Sequence, residues 1–201
     1  MRIVTMLASS PITTLWEFLT LSHIEDSPAW EYVNGVITQK PMPQGQHSQL
    51  QYRLCQAINQ VAEPLRLAYA LPELRCTFAD RSLVPDISVF RWQRIPLTTD
   101  GDIANHFTSC PDWIIEILSP QQSATKVINN ILYCLEQGSE LGWLISPEER
   151  SILVFFPQYP PKFYGVEAAE MNNREELLPV LNGLDLSLTT AEIFAWLKFV
   201  R

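Results

Sequence analysis

The sequence predicts an α/β (α+β) fold: a mixed β-sheet flanked by helices, with a helix and a β-hairpin at its N-terminal side. Three observations predict it. Short runs rich in β-branched and aromatic residues are bounded by turn residues, as strands are. Longer stretches repeat apolar residues at helical spacing. Residues 112–118, 122–137 and 142–146 read strand, helix, strand, the order that joins two parallel strands through a crossover helix.

The elements follow in order. Thr14-Leu15-Trp16-Glu17 is a capping box that opens a first helix carrying Phe18, Leu19 and Leu21. Residues 30–37 form a hairpin, because Asn34-Gly35 suits a tight turn with positive φ at both positions. A second helix covers about His47 to Glu63, carries Leu50, Leu54, Ile58 and Val61, and stops before Pro64. Residues 73–79, 84–90 and 112–118 read as strands. A third helix runs from about Gln122 to Gln137 and ends at Gly138, a suitable C′ glycine. Strands at 142–146 and 151–156 are joined by a turn over Pro147-Glu148-Glu149-Arg150. Residues 157–183 read as an irregular excursion. A second capping box, Thr189 to Glu192, opens a last helix with Ile193, Phe194, Trp196 and Leu197.

The chain has 201 residues, which fits one domain over 1–201. With 47% hydrophobic and 18% charged residues it can bury a core, which excludes a disordered chain. No apolar run is long enough to span a bilayer, so no membrane partner is expected. The apolar patch near the N-terminus is too short for a signal peptide, and the expected location is cytoplasmic. Cys55, Cys76, Cys110 and Cys134 show no CxxC pairing and read as buried free thiols of a reducing compartment. His23, His47 and His106 identify no base for a cysteine nucleophile. The net charge of -8 argues against tight non-specific polyanion binding, but leaves room for a local basic groove.

Chemistry concentrates on two carboxylates. Glu116 interrupts the apolar run Trp113-Ile114-Ile115-Glu116-Ile117-Leu118, where an ionised group is costly unless paired or bound to a cation. Asp86 follows Pro85 at the start of Ile87-Ser88-Val89-Phe90. Alone, Glu116 reads as a strand-end residue paired with an arginine, and Asp86 as a strand-start residue. Together, on two strands adjacent in order, they suit Mg²⁺ (or Mn²⁺), a hard ion held by one or two carboxylates plus waters and phosphate oxygens. Such an ion activates water and neutralises charge on a phosphodiester.

Pro85-Asp86 followed by Glu116 in an apolar strand resembles the PD-(D/E)XK nuclease pattern. The wider text resembles the Uma family, a restriction-endonuclease-like group. The resemblance is carried by Trp30 to Gly35, His47 opening a helix, Pro85 to Phe90, Pro111 to Pro120, Tyr133, and Gly142-Trp143-Leu144-Ile145. It spans about residues 12–197. It implies a restriction-endonuclease-like αβββαβ core with Asp86 and Glu116 as metal ligands. Glu31 matches the family's hairpin glutamate and is a third candidate carboxylate, with an exposed strand position as its alternative.

The motif's lysine is absent two residues after Glu116, where Leu118 stands. Related families carry that lysine on the following helix, which makes Lys126 the catalytic candidate; many members place it one turn later, at Asn129 here. Lys126, Asn130 and Tyr133 share one helix face, so Lys126 is expected to point over the strand ends. An ordinary exposed helix lysine is its alternative. His47 is expected to start or cap its helix, with a place near the site as its alternative, and Trp143 and Trp196 are expected in the core rather than as base-stacking platforms. Arg53, Arg66, Arg75, Arg81, Arg91 and Arg94 are scattered candidates for phosphate contacts.

The expected activity is metal-dependent endonucleolytic hydrolysis of DNA, with a homodimer as the expected assembly by analogy with enzymes that cut both strands. A nuclease-like fold kept as a non-catalytic binding or assembly module is the rival expectation.

Overall fold

The computed structural model describes residues 14–120, 122–166 and 176–199. The N-terminal apolar patch, the first residues of the 12–197 core, and residues 167–175 of the 157–183 excursion lie outside the described residues.

Helix α1 (Leu15–Leu19) starts at its capping box and buries Phe18 against Ile24 and Tyr32. Strands β1 (Trp30–Val33) and β2 (Val36–Gln39) form the hairpin, and Asn34 and Gly35 take φ of 51° and 80°, as its tight turn requires. Helix α2 (Gly45–Ala62) begins two residues earlier than the pattern suggested, with Gln44 as N-cap. His47 therefore lies inside the first turn and caps nothing.

The next stretch departs most from expectation. Instead of one strand over 73–79 there are β3 (Ala68–Pro72) and β4 (Cys76–Phe78), which belong to different sheets. Glu73 sits between them at φ 47°, a conformation that ends a strand. Ala79, at φ 48°, turns the chain into the short β5 (Arg81–Leu83). Strand β6 then starts at Ile87 and runs to Arg91, so Val84-Pro85-Asp86 is the link between sheets.

Strand β7 (Trp113–Ile117), helix α3 (Ala124–Glu136) and strand β8 (Leu141–Ser146) make the crossover unit, and β7 and β8 are parallel. Gly138 follows α3 at φ 109°. Strand β9 (Ser151–Phe156) pairs with β10 (Tyr159–Gly165), which occupies part of the presumed irregular excursion. Pro160-Pro161 disguised this strand; it lies at the sheet edge, where missing N–H groups are tolerated, and the register shifts across the prolines. Helix α4 (Thr190–Ala195) starts at the second capping box.

The expected mixed sheet is present with six strands in the order β10-β9-β8-β7-β6-β3. A second sheet, β2-β1-β5-β4, is antiparallel throughout. Strand alternation sends Trp113, Ile115, Trp143 and Ile145 into a core with α2 and α4. Ile114, Leu144 and Phe155 face the opposite side, against Val127 and Ile131 of α3. On that side Gly142 lets α3 approach closely: a Cβ there would meet Ile131 Cγ2 at 2.4 Å. Among the described residues no helix is long and apolar enough to cross a membrane.

Candidate active site

The site begins with strand register. Ile87 pairs with Ile115 and Ser88 with Ile114, so one step further along this antiparallel ladder Asp86 stands across from Glu116. Both have the parity of the residues facing α3. They sit at the end of the sheet's central strands, and each is 3% exposed.

Neighbouring groups fix Asp86. Its Oδ2 accepts the Ile117 backbone N–H at 2.7 Å. His47 Nε2 lies 3.1 Å from the same oxygen. The Asp86 carbonyl accepts from Gln51 Nε2 at 2.8 Å and from the Glu73 N–H at 3.1 Å. A short segment after a proline is thereby locked onto β7 and α2.

The second sheet brings the other charges. Glu31, on β1, accepts the Val84 N–H at 2.8 Å through Oε1. Lys40 follows β2 and extends the hairpin, its N–H donating to the Ala29 carbonyl at 2.9 Å. Its Nζ donates to Asp86 Oδ1 at 2.7 Å and to the Val84 carbonyl at 2.7 Å, and lies 3.4 Å from Glu116 Oε2. Val84 is thus held at both ends of its backbone, by Glu31 and by Lys40.

Three buried carboxylates face one ammonium. Burial, acting with its carboxylate neighbours Asp86 and Glu31, pushes the Glu116 carboxyl well above its usual range despite Lys40. Burial also raises Glu31. Burial works to raise Asp86 too, but Lys40 and His47 outweigh it and hold that carboxyl below its usual range. Burial opposes the charge on Lys40, yet Asp86, Glu116 and Glu31 together push the ammonium higher. Carboxyl groups outnumber the one ammonium, and their donor atoms are hard oxygens. That chemistry fits a divalent cation bound by Asp86 and Glu116 with further oxygens from water or substrate. Among the described residues no group of three or more His, Cys, Asp or Glu is arranged as a self-sufficient metal cage. Among the described residues His47 Nδ1 is buried without a hydrogen-bond partner.

Of the candidates read from sequence, Asp86, Glu116 and Glu31 come together. Lys126 does not join them. It is exposed in the first turn of α3 and makes no ion pair or hydrogen bond through its side chain among the described residues. It lines a cleft of about 680 Å³ that also reaches Glu31 and Lys40. Tyr133, expected on the same face, instead donates to Asp80 Oδ1 and stacks on Phe78. His47, read first as a helix start, takes its alternative place near the site and touches Asp86.

Lys40 was not foreseen. The motif directs attention to residues after Glu116, whereas Lys40 lies far upstream. A signal was nonetheless present. In the hairpin register Glu31 faces Thr38, and Lys40, two residues on, shares its parity.

The arginines are largely committed elsewhere. Arg75 pairs with Glu25, Arg91 with Glu140 and Arg94 with Asp112. Arg53 lies over Trp196 and Arg81 over Tyr133. The four cysteines are free, and burial pushes the Cys55 thiol up to about 11 and Cys76 up to about 12, the opposite of an activated nucleophile.

Comparison with known proteins adds two findings. The model of the Uma2 family, described as "Putative restriction endonuclease", matches residues 15–191. The crystal structure of a "putative nuclease belonging to DUF820" from Anabaena variabilis superimposes with a TM-score of 0.86 at 49% sequence identity, covering 92% of this chain and 99% of that chain. No curated protein matches.

Proposed function

The chain belongs to the Uma2 family, and from that premise we propose that it is a divalent-metal-dependent nuclease that hydrolyses phosphodiester bonds in DNA. The observation that carries the reading is the in-register pair Asp86 and Glu116, buried at the end of β6 and β7 beside Lys40.

Bound Mg²⁺ or Mn²⁺ would supply an activated water and neutralise charge at the scissile phosphate. Asp86 and Glu116 are its holders. The Ile117 N–H and His47 orient Asp86. Glu31 holds Val84 and so positions the segment that presents Asp86. Lys40 carries the positive charge nearest the carboxylates, where it can stabilise charge developing on phosphate oxygens. Lys126 stands on the cleft wall, where it can attract the substrate backbone. The free thiols support a reducing, cytoplasmic setting.

The test is cleavage of labelled DNA with Mg²⁺ or Mn²⁺. Wild type is expected to cut, and Asp86→Asn and Glu116→Gln are expected to abolish cutting while remaining folded. Lys40→Met is expected to slow it by about 10²-fold, the effect of removing one preorganised electrostatic group. Cutting that survives in Asp86→Asn would overturn the assignment. Hydrolysing both strands of a duplex would call for two copies related by a two-fold axis, which sedimentation on DNA can detect.

Two observations favour a second reading, that of a non-catalytic module. Leu118 stands at the motif's lysine position, and Lys40 already pairs with both carboxylates. Folded wild type that binds no divalent metal, with or without DNA, would support it.

A further inference from the structure

The cleft beside the carboxylates has an unusual lining for a protein that handles a polyanion. It lies between the β1–β2 hairpin and α3, and its wall includes five amide side chains: Asn34, Gln39, Gln122, Asn129 and Asn130. Among the described residues that line it, Lys40 and Lys126 are the only cations and Glu31 the only acid. Gln39 and Gln122 are engaged with the Pro28 carbonyl and the Ser119 N–H. The side chains of Asn34, Asn129 and Asn130 make no hydrogen bond among the described residues. Val33, Val36 and Val127 supply apolar surface, and among the described residues no aromatic ring lines the cleft.

This lining matches neither of the usual sequence-blind solutions. Tracking a phosphate backbone calls for a row of cations. Sequence-tolerant binding of single strands calls for aromatic stacking platforms. Free amides instead offer paired donors and acceptors, the pattern that reads the edge of a base. A base exposes that edge to such a cleft only when it is unstacked, in a single strand or flipped from a duplex. At about 680 Å³ the space has the size of a small-ligand pocket, enough for one base.

We propose that the cleft between the hairpin and α3 binds one unstacked nucleobase of the DNA strand, read by Asn129 and Asn130, with flanking phosphates near Lys40 and Lys126. This rests on the nuclease reading above and adds the form of the substrate.

The test is fluorescence anisotropy in EDTA, where no cleavage occurs. Four probes are compared: a single strand, its matched duplex, a duplex with one mismatch, and a single strand with abasic sites. The expected result is that the single strand binds about tenfold or more tightly than the abasic strand or the matched duplex, the discrimination one amide–base pair supplies. Asn129→Ala combined with Asn130→Ala is expected to erase that difference without changing Tm, since both side chains lack partners. Tight binding of the mismatched duplex would assign the base to flipping, and its absence to a single strand; both uphold the proposal. Equal binding of abasic and normal strands, an unchanged double variant, or no binding to any probe would overturn it. Cleavage with Mn²⁺ is scored separately: base discrimination without cleavage would sink the nuclease reading and leave the base slot standing.

Discussion

Lys40→Met removes the ammonium that reaches Asp86, Glu116 and Val84 together, while keeping most of the side chain's length. Two consequences follow from the geometry. Stability falls, because breaking a buried ion pair from one side costs about 3–5 kcal/mol. At about 2–4 °C per kcal/mol for a chain of this size, Tm drops by roughly 6–20 °C in EDTA. Glu116 softens the loss, since burial already favours its protonated form, so the lower end of that range is expected. Metal affinity moves the other way. The Lys40 ammonium competes for the carboxylates, and its removal leaves them to the divalent ion. Added Mg²⁺ therefore restores Tm in Lys40→Met more than it raises Tm in wild type; at about 100 times Kd the gain is about 2.7 kcal/mol. Differential scanning fluorimetry across a Mg²⁺ series, with calorimetric titration of both proteins, reads both effects. A variant with wild-type Tm in EDTA and unchanged Mg²⁺ affinity would refute the reasoning, because Lys40 would then be a bystander to the carboxylates.

Further consequences can be checked alongside. Gly142→Ala forces Ile131 or α3 to shift, and overpacking of this kind costs about 1–3 kcal/mol, measurable by urea unfolding. Lys126→Ala changes stability by less than about 0.5 kcal/mol, as for an unpartnered surface residue, but weakens DNA binding and flattens its salt dependence. In metal-free protein Glu116 and Asp86 give opposite pH dependences. The Glu116 carboxyl is raised on folding, so its contribution is fully present below its unfolded value of about 4.3 and is lost as pH climbs toward the folded value. Glu116→Gln removes that decline, and its stability advantage over wild type in EDTA grows with pH. The Asp86 carboxyl is depressed, so its contribution is present above about 3.9 and is lost as pH falls below it. Asp86→Asn therefore costs little in strong acid and most near neutrality.

Much of this architecture was legible because its signals are local. Both capping boxes formed as the Thr-x-x-Glu spacing implied, and Asn34-Gly35 made its turn. The parallel pair through α3 followed from strand–helix–strand order. Losses came where local signals conflict with tertiary context. Glu73 and Ala79 adopt positive φ although neither is a usual turn former, and so the region from 68 to 83 divides between two sheets. Pro160 and Pro161 mask an edge strand whose pairing depends on β9. At the site, Glu116 and Asp86 stood out because charge in an apolar strand is expensive. Lys40 did not, and His47 did only as an alternative to starting its helix, since each is unremarkable in its own segment and meets Asp86 only through the docking of hairpin and helix onto the sheet.

The most direct test of the central claim is calorimetric titration of Mg²⁺ and Mn²⁺ into wild type and into the Asp86→Asn, Glu116→Gln double variant, each shown to be folded. The account predicts one site in wild type, absent from the double variant. Binding that persists in the double variant, or none in wild type even with DNA present, would contradict it.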